Sequence, residues 1–302
     1  MNWMKYKWLF FIISALVLIP GIVSLIIYGL RPAIDFTGGT LLEFQFKQEV
    51  EIQTHQEGGQ GYKDIREILK EKDFEVSSIQ SSGKGAILFR MKPITKEQAA
   101  IIKVALAEKF EEIPEEIRFE TVGPTLGKEL LVKTLAAIAL AAGFILAYVG
   151  WRFKNAKFGI CAILAMLHDS LILLGSFSLM GHFLGVEIDT LFVTAVLTIL
   201  SLSVHDTVVV YDRIRESQRL LPDVPLEQLA DKTITETLPR NVNNSLTIIF
   251  MLVALLLLGG VTIKWFVAAL LIGTITGTYS STFTAVPLLV VWEQLKSKKS
   301  SR

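Results

Sequence analysis

Six long runs of apolar residues divide this chain, near residues 9–29, 131–151, 158–181, 190–211, 245–261 and 265–292. Each approaches or exceeds the ~20 residues that carry a helix across a bilayer. The pattern predicts six membrane spans. The fifth run is short when cut at Gly260, so its helix is expected to begin earlier, with Val242, Asn243 and Asn244 in the interface. The sixth is long, and Pro287 is expected to bend it or mark its exit. Basic residues precede the first run, as in a signal peptide, but the run is too long and no small-residue cleavage site stands out behind it. It reads as an uncleaved first span.

Between the first and second runs the pattern changes to polar, from about Arg31 to Lys128. Residues 41–46, LLEFQF, alternate as a strand does. Residues 62–74 place Ile65, Ile68 and Leu69 on one side of a helix. Residues 75–81 and 85–91 read as two strands around a turn at 82–84. Pro93 and Thr95 open a helix running through Phe110, and residues 116–122 form a last strand. The stretch HQEGGQG, residues 55–61, reads as a loop. The order β-α-β-β-α-β is that of a ferredoxin-like domain, a fold that decides no function by itself. The expected architecture is therefore a polytopic α-helical membrane protein with six transmembrane helices and an α+β ferredoxin-like external domain between helices 1 and 2. Its parts are residues 1–30, 31–128, 129–295 and a basic tail at 296–302.

Composition agrees: 51% of residues are hydrophobic and mean hydropathy is +0.49. A net charge of +1 gives no sign of nucleic-acid binding. The single cysteine, Cys161, lies in an apolar run and reads as packing. Charge placement sets the expected orientation. Lys5, Lys7, Arg152, Lys154, Lys157, Arg213, Arg215, Arg219, Lys232, Arg240, Lys296, Lys298, Lys299 and Arg302 all fall on one side if both termini are cytoplasmic. The opposite short loops carry only Lys264 as a basic residue, beside Glu187 and Asp189. That topology sends the polar insertion across the membrane.

The sequence offers no metal-ligand spacing, phosphate loop or nucleophile triad, which argues against a conventional enzyme, an ATPase or a bound cofactor. Its chemistry lies in ionisable groups within apolar runs: His168 and Asp169 in the third, His205 and Asp206 in the fourth, and Arg240 ahead of the fifth. A carboxylate in hydrocarbon costs roughly 2.5–3.5 kcal/mol on insertion scales, so such groups face protein, a cavity or an ion path. Asp206 with Arg240 on the next helix could form a gated pair that opens when the acid is protonated. Alternatively, Asp206 lies close enough to Asp212 to be solvated and to pair with Arg213 or Arg215. Asp169 could equally be satisfied by a helix–helix hydrogen bond. Small residues in 273–282 read as close helix packing.

The chain resembles the SecF family of bacterial membrane subunits. AIDFTGGTLLEFQF, VGPTLGKEL, HDSLILLG, HDTVVVYDRIRE and TLPRNVNNSLT occur in the family's order and spacing over nearly the whole chain. The resemblance implies pairing with SecD in a twelve-span unit related to RND transporters, in the bacterial cytoplasmic (inner) membrane. It implies work with the SecYEG channel, with YajC- or YidC-type accessory proteins, on a translocating preprotein, driven by the proton gradient. It carries the family's proton-pathway residues onto Asp206 and Arg240. A further Asp of that pathway belongs to SecD. His205 stands where the family commonly has Asn, and could join the relay or only hydrogen-bond. Asp169 is a further pathway candidate. Competing readings are a self-contained RND-type exporter of a small molecule or lipid, which would need a homodimer, and a structural subunit that conducts no protons. An aspartyl protease is a poorer match, because the glycine contexts of such enzymes are absent.

Overall fold

The computed structural model describes residues 2–46, 60–81, 85–153 and 155–300. It divides into one unit of Met1–Arg31 with Leu135–Arg302, and a second of Pro32–Thr134.

The second unit holds a short helix α2 (Ile34–Thr37), β1 (Gly39–Gln45), α3 (Gln60–Glu71), β2 (Val76–Ser81), β3 (Ala86–Met91), α4 (Lys96–Phe110) and β4 (Glu115–Val122). The strands form one antiparallel sheet in the order β2-β3-β1-β4. Leu42, Phe44 and Phe46 project from alternate positions of β1 and its end. They meet Ile65 and Leu69 of α3 and Ile102 and Leu106 of α4 in one apolar core. Thr95 caps α4 reciprocally with Gln98, so two backbone N–H groups that a helix start leaves orphaned are satisfied. Ahead of β1, Gly38 sits at φ +72°, and a Cβ there would stand 2.8 Å from Pro124 Cα. Only glycine meets both demands. The expected loop at 55–61 lies outside the described residues up to Gly59, while Gln60 and Gly61 open α3; the expected turn at 82–84 also lies outside them.

The first unit is helical: α1 (Lys7–Ile27), the body of α5 (Pro124–Arg152), α6 (Ala156–Leu184), α7 (Thr190–Leu220), α8 (Leu226–Leu258), α9 (Lys264–Phe283) and α10 (Ala285–Ser300). Taking α9 with α10, six helical stretches are long and apolar enough to cross a membrane. Two differ from the sequence expectation. Helix α8 begins at Leu226 and runs unbroken through Pro239. A buried stripe of Leu229, Ala230, Thr233, Ile234, Thr237, Asn241 and Ser245 lies on both sides of the proline and holds the two halves in line. The sixth span breaks at Thr284, one turn before Pro287. Pro287 has no N–H to offer the Phe283 carbonyl and its ring crowds that oxygen, so the helix restarts rather than bends at the proline.

Helix α6 starts on an Asn155 cap and α7 on an Asp189 cap, whose carboxylate accepts from Phe192 N at 2.7 Å. Burial is uneven: half or more of the most apolar stretch of α6, α7 and α9–α10 is buried, while that of α5 has no buried residue.

Candidate functional site

Helices α7 and α9 approach closely because α9 offers glycine where α7 offers bulk. A Cβ at Gly273 would stand 2.3 Å from Ile199 Cγ1. One turn on, Gly277 faces Ser203, and a Cβ there would stand 3.8 Å from both Ser203 Cα and Asp169 Oδ2. Small residues four apart admit a backbone at this range, and the packing expected of residues 273–282 is what is seen.

Asp169 of α6 enters the space so made. It is fully buried. Its Oδ2 accepts from Ser203 Oγ of α7 at 2.6 Å and from Ser280 Oγ of α9 at 2.5 Å. Its Oδ1 lies 3.0 Å from His168 Nδ1. One carboxylate thus ties three helices, and each of its oxygens has a donor, as a buried acid requires. Of the two readings open for Asp169 in the sequence, the helix–helix hydrogen bond is present. Sequence reasoning did not single out Ser203 or Ser280. A buried acid needs donors, and hydroxyls on the small-residue face of the neighbouring helices were the signal.

Asp206 lies one turn beyond Ser203 on α7 and is half-buried. Among the described residues it makes no hydrogen bond or ion pair, although the charges of His205, Asp169 and Arg240 act on it. It is not the partner of Arg213 or Arg215. Arg213 bonds Glu216 and Glu236, Arg215 pairs with Asp212 at 3.5 Å, and Arg152 also binds Asp212. His205 is exposed.

Arg240 sits inside α8 rather than at its start, and is exposed. It forms no ion pair with Asp206 in this state. Asn244 and Thr247, four and seven residues on, share its face and are exposed as well. The structure therefore brings Asp206 and Arg240 into electrostatic reach and knots His168 and Asp169 together. It leaves a polar stripe of Arg240, Asn244 and Thr247 uncovered on a helix whose C-terminal half is apolar. Among the described residues no cluster of His, Cys, Asp and Glu could hold a metal ion.

The comparisons agree on one family. Residues 102–295 match the family described as Protein export membrane protein SecD/SecF, C-terminal, and residues 23–50 match the SecD/SecF GG Motif. Protein translocase subunit SecF of Thermobaculum terrenum is 41% identical, over 96% of this chain and 93% of that protein. The SecF of Anaerolinea thermophila is 36% identical, over 97% and 94%. Protein translocase subunit SecDF of Thermus thermophilus is 32% identical, over 97% of this chain and 39% of its own. The crystal structure of SecDF, a translocon-associated membrane protein from Thermus thermophilus, superimposes with a TM-score of 0.82 at 33% identity, over 97% of this chain and 39% of that one.

Proposed function

The chain belongs to the SecD/SecF family of protein export membrane proteins, a multi-pass membrane protein with a role in protein translocation, and from that premise we propose that it is the SecF-type half of a proton-driven translocation device. Its partner is a SecD-type subunit. Together they use the proton-motive force, alongside SecYEG and its YajC- or YidC-type accessory proteins, to assist preprotein movement. It sits in the bacterial cytoplasmic membrane with both termini in the cytoplasm, which the segregation of Lys and Arg favours. Its ferredoxin-like unit lies on the far side. It acts as a transport subunit, not an enzyme, and needs no cofactor beyond the proton gradient.

The observation that carries this reading is Asp206 itself, half-buried in an apolar helix without a bonded partner among the described residues, with Arg240 among the charges that act on it. An acid half-buried in an apolar helix with no bonded partner is poised to exchange a proton. A guanidinium within electrostatic reach gives the two protonation states different neighbours to attract. A proton crossing the membrane supplies about 2.3 kcal/mol per 100 mV, enough to bias two states separated by a few kcal/mol. Exposed Arg240, Asn244 and Thr247 on α8, with exposed His205 on α7, are costly against lipid. A second set of helices covering them removes that cost. Relatives named SecDF exceed twice the length of this chain, which favours SecD as that cover.

The test is Asp206→Asn in the complex with its partner, followed by precursor release from proton-energised vesicles. Release should fall at least tenfold while partner pairing persists. Unchanged release with normal pairing would refute the proton role.

A further inference from the structure

The neighbouring pair His168–Asp169 holds a polar atom with nothing to bind. His168 is 8% exposed, and its Nε2 is buried without a hydrogen-bonding partner among the described residues. The other ring nitrogen is committed. Asp169 already takes two hydroxyl donors on Oδ2, so it is held as an acceptor, and the contact of Nδ1 with Oδ1 requires that Nδ1 carry the hydrogen. In the neutral ring Nε2 is then a bare lone pair. A lone pair kept inside a membrane bundle without a donor is costly. The same nitrogen, once protonated, gives an imidazolium already bonded to a carboxylate.

The surroundings point the same way. Gly21 with Gly175 and Ser24 with Ser178 are successive contacts between α1 and α6, so the two helices run parallel there. Two turns before those contacts, by residue count, come His168 on α6 and Ser14 on α1. Ser14 Oγ is 3.2 Å from Thr284 Oγ1, at the break between α9 and α10. Thr282 Oγ1, beside that break, is also buried and unpartnered. Broken helices are the places where transporters hold ions near the membrane midplane. Charged groups that could compete are few. Helix α1 has none between Lys7 and its end at Ile27, α10 has none before Glu293, which binds Lys157, and α9 has none after Lys264. The one ionisable side chain of α9 beyond Lys264 is Tyr279, whose hydroxyl donates to Phe10 O. On α7 the facing group is Asp206; His205 is exposed.

We propose that the His168–Asp169 pair is a second proton-binding site, with His168 Nε2 taking the proton and Asp169 serving as its fixed counter-charge. The step is a simple addition: Nε2 gains a proton, the ring becomes imidazolium, and Asp169 stays ionised. Its place on the translocation pathway rests on the function proposed above, whereas the proton uptake itself does not.

Nitrogen-15 spectra of histidine-labelled full-length protein in bilayers test this directly. The variant His55→Gln/His182→Gln/His205→Gln leaves His168 as the single histidine of the four in the chain, so the core residues need not be disturbed. Nδ1 should stay protonated throughout, while Nε2 passes from bare to protonated as the pH falls. Adding Asp169→Asn should weaken proton binding about tenfold. An Nε2 that stays bare at every pH, or a midpoint unmoved by Asp169→Asn, would overturn the proposal. Asp206→Asn should leave the His168 transition in place whatever it does to translocation, which keeps the two claims separable. Disappearance of the transition in that variant would count against an independent site.

Discussion

His168–Asp169 and His205–Asp206 are the same dipeptide on adjacent helices, in opposite circumstances. The first acid is fully buried and bonded to two neighbouring helices and its own histidine. The second is half-buried, unbonded, and followed on the next helix by an exposed arginine. Helical phase makes the difference. Asp169 points to the seam of α6, α7 and α9, where glycine and serine admit a carboxylate. Asp206 sits one turn beyond Ser203, half-buried and without a bonded partner among the described residues. A carboxylate with a donor on each oxygen is a structural tie, and one with neither oxygen engaged is free to change its proton.

That contrast can be broken most forcefully by deleting each acid. Asp169→Ala leaves two hydroxyls and an imidazole N–H without their acceptor, and should cost about 3–5 kcal/mol in thermal unfolding of the detergent-solubilised protein. Asp206→Ala should stay within about 0.5 kcal/mol of the parent. Equal losses at the two sites would erase the distinction. A smaller effect sharpens it. Gly273→Ala drives a methyl into Ile199 and should cost about 1–3 kcal/mol, whereas Gly277→Ala makes only ordinary contacts with Ser203 and Asp169 and should cost under about 0.5 kcal/mol. If Gly277→Ala were the worse of the pair, the seam would not be built as described.

The smallest effect sets the scale for an acid in water. Glu75 lies 2.5 Å from Lys92, and that hydrogen bond and charge hold its carboxyl below the ordinary carboxylate value, against a minor opposing effect of burial. A depressed folded value means that its contribution is complete above the unfolded value of about 4.3 and fades as pH falls through the lower folded value. Because the pair is fully exposed, the acid limb of the unfolding curve should barely change in Lys92→Met, while the Glu75 titration midpoint rises. A large change in stability would mean that exposed pairs matter here as much as the buried knot.

Much of this was legible in the sequence, and unevenly so. The six spans announce themselves because apolar runs near bilayer length have few other uses. The strand and helix order of residues 39–122 follows from period-2 and period-3.6 patterns. The start of α8 at Leu226 was hidden by its charged surface. Its signal was spacing, with Leu229, Ala230, Thr233, Ile234 and Thr237 falling on one face. The break at Thr284 was displaced by one turn, since proline disrupts the carbonyl before it rather than its own position. The unlike fates of the two His–Asp pairs were not legible. A helix apolar on most sides has no strong moment to reveal its phase, and a serine contributes the same hydropathy whether it packs or donates.

The central claim is that the face carrying Asp206 and Arg240 is completed by another protein. A photo-reactive residue in place of Asn244, activated in membranes where the chain is expressed with its natural partners, tests it directly. The account predicts a covalent adduct to a six-span SecD-type polypeptide, lost when the label is moved to the exposed Phe144 of α5. Adducts to lipid alone, or to a second copy of this chain, would contradict it.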